Sequence, residues 1–317
     1  MAIVAPVSDR RDAGFAVSKL SWHDGVPADM ATFLITGASG KTGREVLASL
    51  TMLGIDARPA SRATGFDFLD RSSWSDHLAG VRSVFLLRPP AIADIAGTLA
   101  PFVTAARASG VDHIVFLSVA GADRLRFLPH AVVERALLAG PRDWTILRPG
   151  FFAQNFEDAY LHDIRTADRI LLPAGKGRVA FVDLRDVGAL AASLLAVPDE
   201  HRGQAYHLTG PVACTFDHAA AVLTRLTGRR ITYRRASVLG YLRHLRRQGL
   251  SLGQAAVQTA LHTGLRFGQA EAVDGTLGRL LGRPTRDIDA YLTDHAALFG
   301  PLTPNPGSRA GATPKSL

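Results

Sequence analysis

ATFLITGASGKTGREVLASLTMLGIDARPASR, residues 31–62, is the stretch whose reading decides the fold. Phe33-Leu34-Ile35 is an apolar run of the kind that forms a short buried strand. Gly37, Gly40 and Gly43 follow at three-residue spacing. A helical period then runs from Lys41 to Leu53, with Val46, Leu47, Leu50 and Leu53 on one face and Gly54 as its stop. A second strand is expected over 55–60, ending at Ser61-Arg62. Strand, glycine turn, helix and strand make the first half of a dinucleotide-binding unit. Glycines allow left-handed backbone angles and a close approach to a pyrophosphate. The helix start presents N–H groups and a positive dipole end to the same phosphate.

Gly40-Lys41-Thr42 imitates the end of a P-loop, but that motif needs glycine where Ile35 stands, so an ATPase is excluded. The candidate pyrophosphate residues are Gly37, Ser39, Gly40, Lys41, Thr42 and Gly43. An NAD site usually carries Asp or Glu at the end of the second strand. Here that strand ends in Arg62, with Arg58 before it, and Asp56 stands too early to reach the ribose. A permanently charged, bidentate guanidinium suits a 2′-phosphate, so NADP(H) is the expected cofactor. The alternative for Arg62 is a solvated arginine in an arginine-rich chain.

The 317 residues are 47% hydrophobic and carry a net charge of +8. That is enough for one large core, or a core and a smaller lobe. No apolar run approaches the roughly 20 residues of a membrane helix, so no membrane partner is expected. The single cysteine, Cys214, excludes an internal disulfide, fits a reducing cytoplasm and reads as a small buried hydrophobe. Lysine occurs only at Lys19, Lys41, Lys176 and Lys315, so the charge is mostly arginine.

Outward from the opening stretch, residues 1–30 read as a flexible extension, with Met30 a second candidate start. Gly65–Asp70 is expected to be a third strand and its exit, where Asp67 meets either an adenine amino group or a helix start. Trp74–Gly80 reads as a short helix. Val81–Leu87 reads as a fourth strand stopped by Arg88-Pro89-Pro90. Strand ends on this edge face the ligand crevice, which makes Leu87 and Arg88 cofactor candidates. A helix is expected over 91–109, a fifth strand over 113–119, a helix over 129–138 and a sixth strand over 144–148. Such alternation means a parallel, doubly wound α/β sheet of Rossmann type, over 31–155. From 156 to 300 smaller elements alternate and suggest a C-terminal α+β lobe intertwined with the core. They include a turn over 171–175, a strand over 178–183, helices over 187–195, 216–226 and 239–247, and short strands over 205–208 and 231–233. The tail over 301–317 reads as disordered.

The residues Thr36–Gly43, Arg62, Val84–Pro90, Val115–Ala122, Pro129-His130 with Glu134, and Trp144–Asn155 resemble the short-chain dehydrogenase/reductase superfamily in its atypical, NmrA-like branch. The likeness spans roughly 32–235 and, more loosely, 285–299. It implies NADP-dependent quinone reductase-like enzymes, ergot-alkaloid-type reductases, or cofactor-binding regulators without known chemistry. Standard members carry Ser at the end of the fifth strand, then a Tyr that moves the proton and a Lys four residues later. Here Ser118 stands at the serine position, followed by Val119. His130 and Glu134 stand where Tyr and Lys would be, four apart on one helix face. The resemblance makes Ser118 and His130 the catalytic candidates, His130 as a general acid. Glu134 either orients it or neutralises a nearby arginine; the alternative for His130 is a positioning contact to helix or nicotinamide.

Phe151, Phe152, Phe156 and Tyr160 follow the sixth strand and suggest an aromatic-tolerant apolar pocket near the nicotinamide end, with Phe151 a cofactor candidate; lobe packing is the alternative. Asn155 offers a hydrogen bond to a substrate or a cap. The leading expectation is an NADPH-dependent reductase of a small, hydrophobic, conjugated acceptor, in specialised metabolism. The alternative is a redox sensor that binds NADP(H) and acts through a regulatory protein partner; a homodimer is also left open. DNA is not an expected partner, because the arginines from Arg225 to Arg247 match no helix-turn-helix or zinc signature. No metal site or Gly-x-Ser-x-Gly elbow is present in the sequence.

Overall fold

Strand β1 (Thr32–Thr36) is flanked on one side by β2 (Ala57–Ala60) and on the other by β3 (Val81–Leu87), all parallel. The computed structural model describes residues 32–89, 92 and 94–301; the expected extension over 1–30 and all of the expected tail except Pro301 lie outside the described residues. Between β1 and β2 runs helix α1 (Lys41–Met52), whose buried face is Gly43, Val46, Ser49 and Leu50. Gly54, with φ +71°, follows its end, a left-handed position that suits a residue without Cβ. Helix α2 (Trp74–Leu78) precedes β3. Then follow α3 (Leu99–Ala108), β4 (His113–Leu117), α4 (Pro129–Leu138) and β5 (Trp144–Pro149). Pro129 stands at the first helical position of α4, where its missing N–H costs nothing.

The chain then leaves this sheet through α5 (Asn155–Asp158), α6 (Leu161–Ala167), β6 (Arg169–Leu172) and β7 (Arg178–Val179). It returns with α7 (Leu184–Ala196), capped by the Asp183 carboxylate on Arg185 N–H, and β8 (Gln204–Leu208). The main sheet is therefore six-stranded, in the order β2-β1-β3-β4-β5-β8, with every pair parallel. After it come β9 (Cys214–Thr215), α8 (Phe216–Thr227), β10 (Thr232–Arg235), α9 (Val238–Arg247), α10 (Leu252–Gly264), α11 (Thr276–Leu281) and α12 (Ile288–Asp294).

The chain forms two compact units. One takes the chain up to Gly150 together with Val182–Pro211 and Val273–Arg286; the other takes Phe151–Phe181, Val212–Ala272 and the chain from Asp287. The first has a core of Leu34, Val84, Phe116 and Ile146 under the sheet and Leu99, Phe102 and Val103 from α3. Within it α7 packs against α1 at Gly188, where an added Cβ would stand 2.8 Å from Glu45 Cβ. The buried Asp186 carboxylate accepts from Arg283 Nη2 at 2.8 Å and from Arg286 N–H at 2.7 Å, which binds the 273–286 segment to α7. The second unit has its own core, with Phe156, Tyr160, Phe181, Phe216 and Tyr291 all buried, and two small sheets, parallel β10-β6 and antiparallel β7-β9.

Several expected elements take another form. Gly65–Asp70 is not a strand. Gly65 is left-handed at φ +82°, and the Asp67 carboxylate closes a turn on Leu69 N–H at 2.9 Å. The apolar alternation of Phe66 and Phe68 plugs the core instead, edge-on to Phe102 at 5.6 and 5.1 Å. The helix expected over 91–109 begins only at Leu99, because Asp94 holds Gly97 N–H and Thr98 Oγ1 in a local turn. The strand expected over 178–183 stops after Val179; Ala180 N–H donates to Ala270 O at 2.8 Å and Asp183 already caps α7. Leu171 and Leu172, expected in a turn, pair in β6 with β10.

Candidate active site

The first unit gathers its candidate residues at the carboxyl ends of β1, β3 and β4, where an open α/β sheet binds its ligand. The Thr36 hydroxyl, fully buried, donates to Phe85 O at 2.9 Å and accepts from Leu87 N–H at 2.8 Å, joining the end of β1 to the end of β3. Gly37 follows at φ +66°, and a Cβ there would stand 2.5 Å from Leu87 Cδ2. Gly40 N–H donates to Gly37 O at 2.9 Å and closes the turn. A Cβ on Gly43 would lie 2.3 Å from that same carbonyl, so only glycine lets α1 start this close to the turn. Ser39 and Gly40 are exposed, Lys41 and Thr42 half-buried. Gly40, the N-cap residue, has no side chain to cap α1, and its first turn holds no acidic residue. The positive end of the helix meets no acid of its own first turn, and the turn fits a pyrophosphate.

The end of β2 lies against this turn, since Ala38 N–H donates to Ala60 O at 3.3 Å. Two residues on, Arg62 opens a 3₁₀ turn, is exposed, and makes no ion pair among the described residues. It fits a 2′-phosphate. Arg58 does not: its Nη1 is spent on the carbonyls of Asp76, His77 and Ala79, at 3.1, 2.7 and 3.1 Å. Asp67 is half-buried and its carboxylate serves the turn described above.

Arg88 follows β3. One terminal nitrogen donates to Ile92 O at 3.1 Å, while its Nε is buried without a partner. Burial alone lowers its pKa, and no carboxylate offsets the effect. Facing it electrostatically is His130, on the first turn of α4, with its ring 6.3 Å from that of Phe116. Burial, then the charge of Arg88, push the imidazole down to about 4, against a smaller upward pull from Glu134. At neutral pH His130 is uncharged and has no imidazolium proton to give.

Ser118 and Glu134 do come together. The Ser118 hydroxyl, 2% exposed, donates to Glu134 Oε1 at 2.5 Å. Glu134 is also held by Arg148, Nε to Oε1 at 3.0 Å and Nη2 to Oε2 at 2.7 Å, and Arg148 Nη1 lies 3.8 Å from Asp123. The hydrogen bond to Glu134 raises the Arg148 pKa above its ordinary value. Of the two roles open to Glu134, the structure shows it neutralising an arginine. Arg148 and Asp123 were not singled out in the sequence; an arginine inside the apolar strand TILRP was the available signal. Val119 is half-buried beside Ser118.

In the second unit Phe151 packs edge-on to Phe181 at 5.9 Å and to His262 at 5.7 Å. Phe156 and Tyr160 are core residues, and Asn155 Nδ2 donates to Phe152 O at 2.9 Å. His262 joins Tyr160 Oη at 2.7 Å and Tyr241 Oη at 3.3 Å, and burial holds it at about 4.

No protein-family model matches the chain. A reductase of (4-alkanoyl-5-oxo-2,5-dihydrofuran-3-yl)methyl phosphate from Streptomyces griseus is 31% identical over 287 residues, 84% of this chain and 99% of that one. The chain belongs to the NmrA-like branch of the atypical short-chain dehydrogenases/reductases. An NAD(P)H azoreductase from Xenophilus azovorans, another relative of this branch member, is 28% identical over 291 residues, 84% of this chain and 99% of the azoreductase. The quinone oxidoreductase QOR2 of Escherichia coli, solved with NADPH, superposes with a TM-score of 0.72 at 27% identity, over 83% of this chain and 99% of its own. Among the described residues no helix is long and apolar enough to cross a membrane.

Proposed function

We infer that the chain is an NADPH-dependent reductase that delivers hydride to a small hydrophobic conjugated acceptor, a quinone, ketone or imine. The observation that carries this reading is the start of α1, uncapped and without an acid, opening from a turn that only glycine fits. Arg62 beside it selects the 2′-phosphate. The bound dinucleotide supplies the hydride. The protein holds it: the α1 N-terminus takes the pyrophosphate, Arg62 the 2′-phosphate, and Leu87, Arg88 and Val119 line the strand ends. Ser118 is committed to Glu134, and His130 is neutral, able to hold an oxygen through N–H but not to protonate it. An acceptor that takes hydride without a protein acid is therefore favoured, with water supplying the proton. The quinone, azo and acyl-dihydrofuranone compounds in the relatives' names are all conjugated acceptors. Those names are all of reductions, which does not favour a non-catalytic sensor. Cys214 is buried and pushed up to about 12, an inert thiol suited to the reducing cytoplasm.

The test is NADPH oxidation followed at its absorbance band with quinones, azo dyes and conjugated ketones, with NADH in parallel. Protein- and acceptor-dependent oxidation is expected, with Arg62→Ala raising the KM for NADPH by roughly 10–100-fold and leaving that for NADH unchanged. Tight NADPH binding without oxidation across the panel would overturn the reading in favour of the sensor.

A further inference from the structure

From His218 to Ala270 the chain carries nine arginines and not one Asp or Glu. Among the described residues only two of these arginines form ion pairs, Arg229 with Asp168 at 2.8 Å and Arg235 with Asp217 at 2.5 Å. Other carboxylates beside this stretch are engaged: Asp163 by His244 at 2.9 Å, Asp289 by His218 at 2.6 Å and Glu271 by Arg178 at 3.7 Å. On α9, Arg243, Arg246 and Arg247 are exposed beside Leu239, which is itself 61% exposed.

Helix α10 is the unusual partner of α9. It has no Asp, Glu, Lys or Arg, although one of its faces is in water. Leu252, Val257 and Leu261 are more than half exposed, and Phe267, in the turn that follows, is 77% exposed. Val238 and Leu242 of α9 and Ala256, Ala260 and Phe267 line an apolar groove of about 510 Å³ between the helices. An uncharged helix that leaves leucine and valine in water has an apolar face in want of a partner. Large apolar side chains left in water beside an apolar groove mark a contact surface.

We propose that the α9–α10 face docks on an anionic lipid surface, with Leu261 and Phe267 entering the acyl boundary and Arg243, Arg246 and Arg247 meeting the headgroups. Both halves of the surface are then used: apolar side chains in the interfacial layer and arginines on the anionic charge. A second copy of the chain fits poorly, since a two-fold contact sets the same arginine cluster against itself. A nucleic acid would use the arginines and leave Leu252, Val257, Leu261 and Phe267 in water. The expectation of no membrane partner came from seeking a spanning segment; α10, thirteen residues and about 20 Å long, lies on the surface instead of crossing it. The proposal stands apart from the reductase reading and does not need it.

The experiment is co-sedimentation of the full chain with phosphatidylcholine vesicles, with and without phosphatidylglycerol, at low and high salt. Binding is expected only with phosphatidylglycerol and is weakened by salt. Arg246→Ala and Arg247→Ala should each weaken it about fivefold. Leu261→Ser with Phe267→Ser should weaken it about tenfold or more. The thermal midpoint and NADPH oxidation with a water-soluble quinone should stay unchanged in all these variants. No binding to anionic vesicles overturns the proposal, as does binding that the Leu261/Phe267 pair leaves intact. A concentration-dependent dimer abolished by that pair assigns the face to a second copy, and duplex DNA bound as tightly as the vesicles assigns it to nucleic acid; either result also overturns it.

Discussion

The Ser118 hydroxyl donates its one proton to Glu134 Oε1 at 2.5 Å, on a carboxylate that Arg148 already holds with two hydrogen bonds. Serine, acid and arginine form a closed, buried chain within the first unit. Glu134→Gln breaks it by leaving the Arg148 charge without its main counter-ion. A loss of ~3–5 kcal/mol in unfolding free energy is expected, read by urea denaturation. Ser118→Ala, which removes one hydrogen bond and leaves the ion pair, should cost only about 1–3 kcal/mol.

His130, pushed down to about 4, is uncharged at neutral pH. His130→Phe should therefore leave kcat for a quinone within about threefold of the parent, since no general-acid factor of ~100 or more is lost. The pH profile of kcat should be flat between pH 6 and 8 in both proteins. A drop of a hundredfold with a new pH dependence would show that the imidazole moves the proton.

Acid should unfold the protein through its buried histidines. His113, His130 and His262 are all held at about 4 by burial, below the ordinary value of 6.5. Between those values the unfolded chain binds more protons than the folded one, so stability rises with pH across the window and is lost as pH falls from 6.5 towards 4. In His113 the ring is fixed as a neutral donor: Nε2 lies 2.9 Å from Thr145 Oγ1, which itself donates to His201 O at 2.7 Å. Thermal midpoints measured from pH 7.5 to 4.5 should fall continuously below about pH 6.5, and His113→Gln should reduce the slope by up to one proton.

Gly43→Ala puts a Cβ 2.3 Å from Gly37 O, and neither backbone segment gives way cheaply. The variant should lose NADPH affinity by at least about tenfold, from displacement of the α1 start, with ~1–3 kcal/mol of stability. Gly54→Ala, at a left-handed position with open space around it, should cost only about 1 kcal/mol of stability and no affinity. Calorimetric titration with NADPH distinguishes the two.

β1, the glycine turn and α1 were legible because each depends on neighbours within a few residues: the apolar run, the glycine spacing and the period of α1. Phe66 and Phe68 misled for a physical reason. Alternating apolar residues look the same whether they face one side of a strand or fill a core from an irregular turn. The Glu134–Arg148 pair was half-visible. Neutralising an arginine was one of two roles open to Glu134, but which arginine it meets depends on how α4 lies on β5. The low pKa of His130 was out of reach, since it arises from burial and from Arg88, far upstream in the chain.

Asp186 waits nearly a hundred residues for its partners. Its carboxylate is fully buried, yet Arg283 and Arg286 leave the ribosome long after it, as does the 273–286 segment they belong to. The edge of β5 likewise stays bare until β8 has been made. A nascent chain halted at Gly150 therefore has a dinucleotide turn and an open sheet edge together, a state prone to strand-to-strand association. The sheet gains its sixth strand only once β8 is made, and the buried Asp186 gains its arginines only once the 273–286 segment follows, so a fragment cut at Gly150 lacks both.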